Sequence, residues 1–300
     1  MPSNYFMSIE QVAEELEKAH YIADRALATV LFLSSRLEKP IFLEGEPGVG
    51  KTEVAIVMAK LFDTELIRLQ CYEGLDAATS LYEWNYTKQL LYIKLMEEYG
   101  EKDKEMMEQI IYSPKFLIKR PLLEAILRSE DKAPVLLIDE IDRSDEEFEA
   151  FLLEVLADFQ ITIPEIGTIK AQKKPMVVVT SNRTRDVHDA LKRRCLYHWI
   201  EYPSFEKEYR IITTRLPGIE ERFARQITRF MQKIRSVDFL KKPGISETLD
   251  WAQALMTMQK PYLNEDVVME TLGCVLKYRD DIRKFKKEIW ADSGRRAAFL

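Results

Sequence analysis

Cysteine is scarce in this chain. Only Cys71, Cys195 and Cys274 occur among 300 residues, and no two have C-x-x-C spacing. This excludes a disulfide-stapled scaffold and a paired-thiolate zinc site, and it fits reduced thiols in the cytoplasm. Cys195 and His198 form a C-x-x-H pair, but no second pair lies nearby to complete a tetrahedral metal set. Long apolar runs are also missing. None approaches the roughly 18 residues a membrane span needs. Residues 1–7 lack a basic stretch followed by an apolar one, so neither a span nor a secretion signal is expected. There is no basic excess either, because net charge is −6. Residues 201–300 carry 19 Lys/Arg against 15 Asp/Glu, a balance of +4, which leaves −10 in residues 1–200. So small a basic bias does not by itself support a nucleic-acid partner. With 46% hydrophobic and 31% charged residues, the chain reads as globular and long enough for one large core or two smaller ones.

Against this background one stretch stands out. Residues 45–52 read Gly-Glu-Pro-Gly-Val-Gly-Lys-Thr and match G-x-x-x-x-G-K-[ST]. In such a loop glycines let successive backbone N–H groups turn inward and cradle phosphate oxygens. Glu46, Pro47, Gly48, Val49 and Gly50 would form the cradle, and Lys51 would reach the β- and γ-phosphates. The Thr52 hydroxyl would hold Mg²⁺. The motif needs a strand before it and a helix after it. The apolar run 41–43 and the helical pattern of 54–61 supply both.

Residues 135–138 (Val-Leu-Leu-Ile) predict a fully buried parallel strand, with Asp139 and Glu140 at its carboxyl end. In an open α/β sheet ligands sit at that end. Asp139 would hold Mg²⁺ through its water shell, and Glu140 would orient and deprotonate an attacking water. Asp142, Asp145, Glu146 and Glu147 read as residues that cap and solvate the next helix, 148–159. A third buried strand, 175–180, ends at Ser181-Asn182, and the Asn182 amide would meet the γ-phosphate or its attacking water. Lys192, Arg193 and Arg194 close a short helix at 186–193. They either complement its dipole or supply an arginine finger to a neighbour's γ-phosphate.

The remaining segments fill in an α/β plan. A capping box at 8–11 opens a helix expected to run to about residue 37, with Tyr21 either an interfacial aromatic or an adenine contact. Residues 65–69 predict a second strand. Residues 70–132 form an insert with helices at 83–99 and 122–127 and little strand character, whose Trp84, Tyr86 and Tyr92 pack the insert onto itself by default. Residues 160–169 alternate around Pro-Glu-Ile-Gly as a β-hairpin. After Pro203 the pattern is helical, with breaks at 216–218, 242–244 and 260–261, and Ser246 and Asn264 as N-caps.

These motifs in combination resemble the AAA+ ATPases. The helical insert after the second strand and the hairpin before the Asn182 strand are similar to the helix-2-insert clade that contains the MoxR family. Residues 70–76 (Gln-Cys-Tyr-Glu-Gly-Leu-Asp), 180–185 (Thr-Ser-Asn-Arg-Thr-Arg) and 190–195 (Ala-Leu-Lys-Arg-Arg-Cys) resemble its CoxD-like members. The resemblance implies an α/β P-loop core with a parallel sheet, insert and hairpin over residues 1–202, and a small all-α lid over 203–300. It places Lys51 and Thr52 in Walker A, Asp139 and Glu140 in Walker B, Asn182 at sensor 1, and Arg193 or Arg194 at the arginine finger. It further implies ATP and Mg²⁺, a hexameric ring, a von Willebrand factor A-domain partner and a client metal-containing oxidoreductase. Many MoxR proteins open the third lid helix with a sensor-2 arginine. Residues 244–251 here contain none, leaving Arg222, Arg225 or a neighbouring subunit to substitute.

Three functions follow as alternatives. One is an ATP-hydrolysing remodelling chaperone. Another is a nucleotide-gated scaffold with little turnover, which the absent sensor-2 arginine favours and the intact Asp139-Glu140 pair opposes. The third is a nucleic-acid-associated motor of the same superfamily, for which the charge balance gives little support. A GTPase is disfavoured because no [NT]KxD guanine-reading motif occurs.

Overall fold

The computed structural model describes residues 6–98, 103–128, 132–260, 262–292 and 299. Ser8 opens α1 (Ile9–Lys18). Its hydroxyl accepts the Gln11 N–H at 3.1 Å, and the Gln11 side chain reaches back to the Met7 N–H at 2.6 Å. The single helix predicted to residue 37 is in fact two. His20 adopts a left-handed φ of 63°. The His20 N–H donates to the Glu17 carbonyl, and the Tyr21 N–H donates to the Leu16 carbonyl. That double closure is a Schellman stop. A second helix, α2 (Arg25–Leu37), starts afresh, while the apolar spacing runs on across the break.

The α/β part then alternates as expected: β1 (Ile41–Gly45), α3 (Lys51–Leu61) and β2 (Leu66–Gln70). The insert comprises α4 (Ala77–Leu81), β3 (Tyr82–Trp84), α5 (Tyr86–Glu98), α6 (Lys104–Ile111), β4 (Leu117–Lys119) and α7 (Pro121–Leu127). Among the described residues its only strands are two of three residues that pair antiparallel, and the helix expected from residue 83 begins only at Tyr86 because 82–84 form β3. Trp84 is buried in T-shaped contact with Tyr82 and Tyr112, and Tyr92 meets Phe116 edge-on, so these rings pack the insert onto itself. Tyr86 instead lies exposed. Tyr99 falls outside the described residues.

Next come β5 (Val135–Asp139), α8 (Glu146–Asp158), the hairpin β6 (Gln160–Ile163) with β7 (Gly167–Lys170), β8 (Met176–Ser181), α9 (Asp189–Arg194) and β9 (Leu196–Ile200). The five-stranded sheet has the order β2-β5-β8-β1-β9, and β2, β5, β8 and β1 run parallel. Every residue of β1 and β5 is buried, as strands covered on both faces should be. Parallel alignment brings the carboxyl ends of these four strands to one edge, where Asp139, Glu140 and Asn182 emerge.

By packing, the chain divides into two compact units. The first comprises Met1–Val12, Arg25–Glu44 and Ala55–His198, and the second Ala13–Asp24, Gly45–Val54 and Trp199–Leu300. The first unit's core gathers Phe42, Ile138, Phe148 and Leu152 with Trp84 and Phe116 of the insert.

The second unit holds α10 (Phe205–Arg215), α11 (Glu221–Ser236), α12 (Ile245–Thr257), α13 (Glu265–Val275) and α14 (Arg279–Lys284), followed by a π-helical turn, Phe285–Trp290. Phe230 and Trp251 meet at 4.8 Å in its core, and the Trp251 indole N–H donates to Thr271 Oγ1 at 2.8 Å. The buried Arg235 donates to both carboxylate oxygens of the buried Glu208 at 2.6 Å, and to Thr248 Oγ1 at 2.9 Å. Asn264 caps α13 as predicted. Ser246 does not cap α12. The cap is Gly244, whose N–H donates to Glu247 Oε2 at 2.9 Å, and Ser246 lies in the first turn. Of the 260–261 break, Pro261 lies outside the described residues.

Candidate nucleotide site

The loop between β1 and α3 is shaped by its glycines. Gly48 and Gly50 have φ of 76° and 95°, left-handed values that side chains disfavour. Gly45 is fixed by closeness instead, since a Cβ there would lie 2.5 Å from the Ile200 carbonyl oxygen. Lys51, 6% exposed, donates from Nζ to the carbonyls of Gly45 and Glu46, each at 2.7 Å. Thr52 follows in the first turn of α3. Within this same unit a cavity of about 140 Å³ opens beside the loop, lined by Tyr21, Val49, Gly50, Glu53, Pro203 and Arg215 among others. The Tyr21 hydroxyl lies 3.5 Å from the Gly50 carbonyl, and Arg215 pairs with Glu53 at 2.5 Å.

The carboxylates belong to the first unit. Asp139, 1% exposed, ends β5. Its Oδ1 accepts the Thr180 hydroxyl at 2.6 Å and its Oδ2 accepts Arg68 Nη2 at 2.5 Å. Thr180 Oγ1 in turn accepts the Glu140 N–H at 2.9 Å. Glu140 has φ 57° and ψ 52°, a left-handed conformation that costs a non-glycine residue about 1–3 kcal/mol. Three donors hold its carboxylate: Asn182 Nδ2 on Oε1 at 3.0 Å, and Gln70 Nε2 at 3.1 Å and Arg143 Nε at 2.9 Å on Oε2.

Asp142 is 3% exposed and does not cap or solvate α8. Its carboxylate accepts the Asn182 N–H at 3.1 Å, the Thr184 N–H at 2.8 Å and the Thr184 hydroxyl at 2.6 Å. It thereby clamps the loop that follows β8. Asp145 is the true N-cap, accepting the Phe148 N–H at 2.8 Å. Further along that loop, Arg185 pairs with the fully buried Glu149, whose other oxygen accepts the His188 N–H at 2.7 Å. At the end of β1 the buried Glu44 accepts the Tyr197 hydroxyl at 2.8 Å. Burial, reinforced by this bond, pushes the Tyr197 phenol up to about 12.

The two arginines of α9 differ. Arg194 Nη1 donates to the Leu153 carbonyl at 2.8 Å, whereas Arg193 is exposed with no partner among the described residues. Of the proposed sensor-2 substitutes, Arg225 stacks on Tyr209 at 4.4 Å and Arg222 is exposed. In sum, the first unit gathers Asp139, Glu140 and Asn182, and the second holds Glu46, Pro47, Gly48, Val49, Gly50, Lys51 and Thr52. Sequence reasoning missed Arg68, Gln70, Thr180, Asp142 and Glu149 as supporting residues. For Gln70 the usable signal was the pairing of β2 with β5, which sets it opposite Asp139.

Residues 40–195 match the family model of the AAA domain (dynein-related subfamily). An uncharacterized protein of Staphylococcus aureus strain NCTC 8325 is 26% identical over 229 residues, covering 74% of this chain and 77% of its own. Two structures of Thermotoga maritima RuvB are similar in chain course. One is a point mutant, 20% identical with a TM-score of 0.49 over 97% of this chain and 81% of its own. The other is described as a Holliday junction branch migration motor, 18% identical with a TM-score of 0.46 over 97% of this chain and 77% of its own. The assignment rests on the family model, which spans just over half of the sequence. By that match the chain belongs to the AAA domain family, in its dynein-related subfamily.

Proposed function

We propose that the protein hydrolyses ATP to ADP and phosphate and uses the cycle to remodel a client protein. The observation that carries this reading is the hold on Glu140: Asn182 fixes one carboxylate oxygen at 3.0 Å, at the carboxyl edge of a parallel sheet in an AAA-family chain. In this reading Glu140 takes a proton from the attacking water while Asn182 orients that water or the γ-phosphate. Lys51 leaves the Gly45 and Glu46 carbonyls for the phosphates, and the loop amides of 46–50 bind phosphate oxygens. The Asp139 carboxylate and Thr52 hydroxyl are hard oxygen donors of the kind Mg²⁺ takes. Among the described residues no cluster of three or more His, Cys, Asp or Glu could hold a metal unaided, which fits an ion completed by phosphate and water. When bound, Mg²⁺ supplies positive charge at the phosphates. Arg193, with no side-chain partner among the described residues, is the better finger for a neighbouring subunit than Arg194.

The finer reading follows the MoxR, CoxD-like resemblance. Residues 1–202 act as the nucleotide domain and 203–300 as a lid. Six subunits form a ring in the cytoplasm, and a von Willebrand factor A-domain partner helps mature a metal-containing oxidoreductase. No helix among the described residues is long and apolar enough to cross a membrane. The test is steady-state ATP hydrolysis against protein concentration, with particle size measured in parallel. Activity per subunit should rise with assembly, and a rate strictly proportional to protein at every dilution sinks the ring reading. A nucleotide-gated scaffold is the second reading, favoured by the lack of arginine in 244–251. If Glu140→Gln still binds and matures the client normally, the scaffold reading replaces hydrolysis.

A further inference from the structure

The start of α12 lies directly against the phosphate loop, backbone to backbone. The Ile245 N–H donates to the Gly48 carbonyl at 2.8 Å and the Ser246 N–H to the same oxygen at 3.3 Å. Two otherwise orphan donors of a helix N-terminus are satisfied by one loop carbonyl. Contact is so close that a Cβ on Gly244 would lie 2.7 Å from the Pro47 oxygen and 2.8 Å from the Gly48 carbonyl carbon. Both neighbours are backbone, so no side chain can swing aside.

The helix start is itself held from below. Arg235 Nε donates to the Pro243 carbonyl at 2.7 Å while its guanidinium is locked onto Glu208 and Thr248. Glu247 holds the Gly244 N–H. The turn at 243–244 therefore cannot shift without α10 and α11. No peptide bond of the described chain is cis. In a trans, planar unit the C=O and the following N–H point in opposite directions. Fixing the Gly48 carbonyl on α12 therefore aims the Val49 N–H away from that helix, back into the loop.

We propose that Gly244 is a positioning residue for the phosphate loop: through its contact with Gly48, the helical unit sets the orientation of the Gly48–Val49 peptide. Coupling between helix and phosphates then runs through backbone hydrogen bonds, in a chain that lacks an arginine on the opening turns of α12. This rests on the phosphate-site reading above.

The experiment titrates ADP into the full chain by calorimetry, using wild type, Lys51→Ala, Gly244→Ala, Glu247→Ala and Glu247→Gln. Hydrogen exchange at the Ile245 amide is followed in the nucleotide-free proteins. Gly244→Ala should weaken ADP binding about tenfold or more, the loss of one to two backbone hydrogen bonds. Glu247→Ala should weaken it less, and Glu247→Gln, which keeps an acceptor for the Gly244 N–H, should bind as wild type does. Ile245 should exchange slowly in wild type and faster in Gly244→Ala. Wild-type affinity in both Gly244→Ala and Glu247→Ala overturns the proposal, as does fast Ile245 exchange in wild type. If Gly244→Ala fails to fold, the contrast between Glu247→Ala and Glu247→Gln decides. No ADP binding by wild type defeats the phosphate-site reading instead, a result the exchange measurement keeps separate from the helix–loop contact.

Discussion

The Asn182 side-chain amide donates to Glu140 Oε1 at 3.0 Å, tying the loop after β8 to the residue that follows β5. In the proposed mechanism the two residues have separable roles, Glu140 as general base and Asn182 as its positioning partner. Glu140→Gln should lower turnover about 10²–10⁴-fold, the usual contribution of a general base, while ADP affinity stays within a few-fold of wild type. Asn182→Ala should lower kcat with little change in KM. A rise in KM with kcat unchanged would mean that Asn182 serves only binding.

Arg68 and Asp139 make a half-buried ion pair, with the carboxylate almost wholly enclosed. Arg68→Ala removes a charged donor from that carboxylate and should cost about 1–3 kcal/mol in EDTA. If Asp139 holds Mg²⁺ as proposed, adding Mg²⁺ and ADP should recover much of the lost thermal midpoint. An equal deficit under both conditions would count against a metal role for Asp139.

Arg193 and Arg194 should separate by stability. Arg194→Ala loses the bond to the Leu153 carbonyl and should destabilise by about 0.5–1.5 kcal/mol. Arg193→Ala should leave the melting point within about 0.5 kcal/mol of wild type. If Arg193 is the finger, its variant assembles and binds ATP but loses turnover, and added subunits carrying Glu140→Gln partly restore it, because their Arg193 completes a neighbour's site that still has Glu140.

Two thiols are shielded, Cys71 fully buried and Cys195 half-buried. Burial pushes Cys71 up to about 12, with Asp139 nearby adding to the effect, and burial alone does the same to Cys195. At pH 8 both should resist a thiol reagent until the chain is unfolded. Because each folded pKa lies above that of the unfolded thiol, their contribution to stability is complete below about pH 9 and disappears as pH rises toward 12. Urea midpoints measured from pH 8 to 11 should fall with pH. Replacing Cys71 by Ala should flatten that slope.

Much of the frame was readable because it depends on local pattern. Short apolar runs mark β1, β5 and β8, and the glycine spacing of 45–50 predicts a loop whose Gly48 and Gly50 take left-handed conformations. What escaped depends on what lies across from what. Asp142 looks like any acidic residue before a helix, and only the neighbouring β5 and β8 strands bring it under the Asn182–Thr184 amides. His20 stops α1 in a conformation more typical of glycine or asparagine, so neither composition nor periodicity betrays the break. Strands of three residues, such as β3 and β4, are too short for alternation to register. A hydroxyl residue such as Ser246 is the usual cap, and the crowding that demands glycine at 244 comes from a loop nearly 200 positions earlier.

The Glu208–Arg235 pair also constrains how this sequence can drift. Both oxygens of Glu208 and most guanidinium donors of Arg235 are committed to one another, to Thr248, to Gln232 and to the 243–244 carbonyls. A lone substitution of either charge strands the other in the interior, a loss of about 3–5 kcal/mol and so a large share of a domain's roughly 5–15 kcal/mol of stability. Descendants of this chain should therefore keep both residues or exchange both together. An alignment in which position 208 changes freely while 235 stays arginine would be hard to reconcile with this packing.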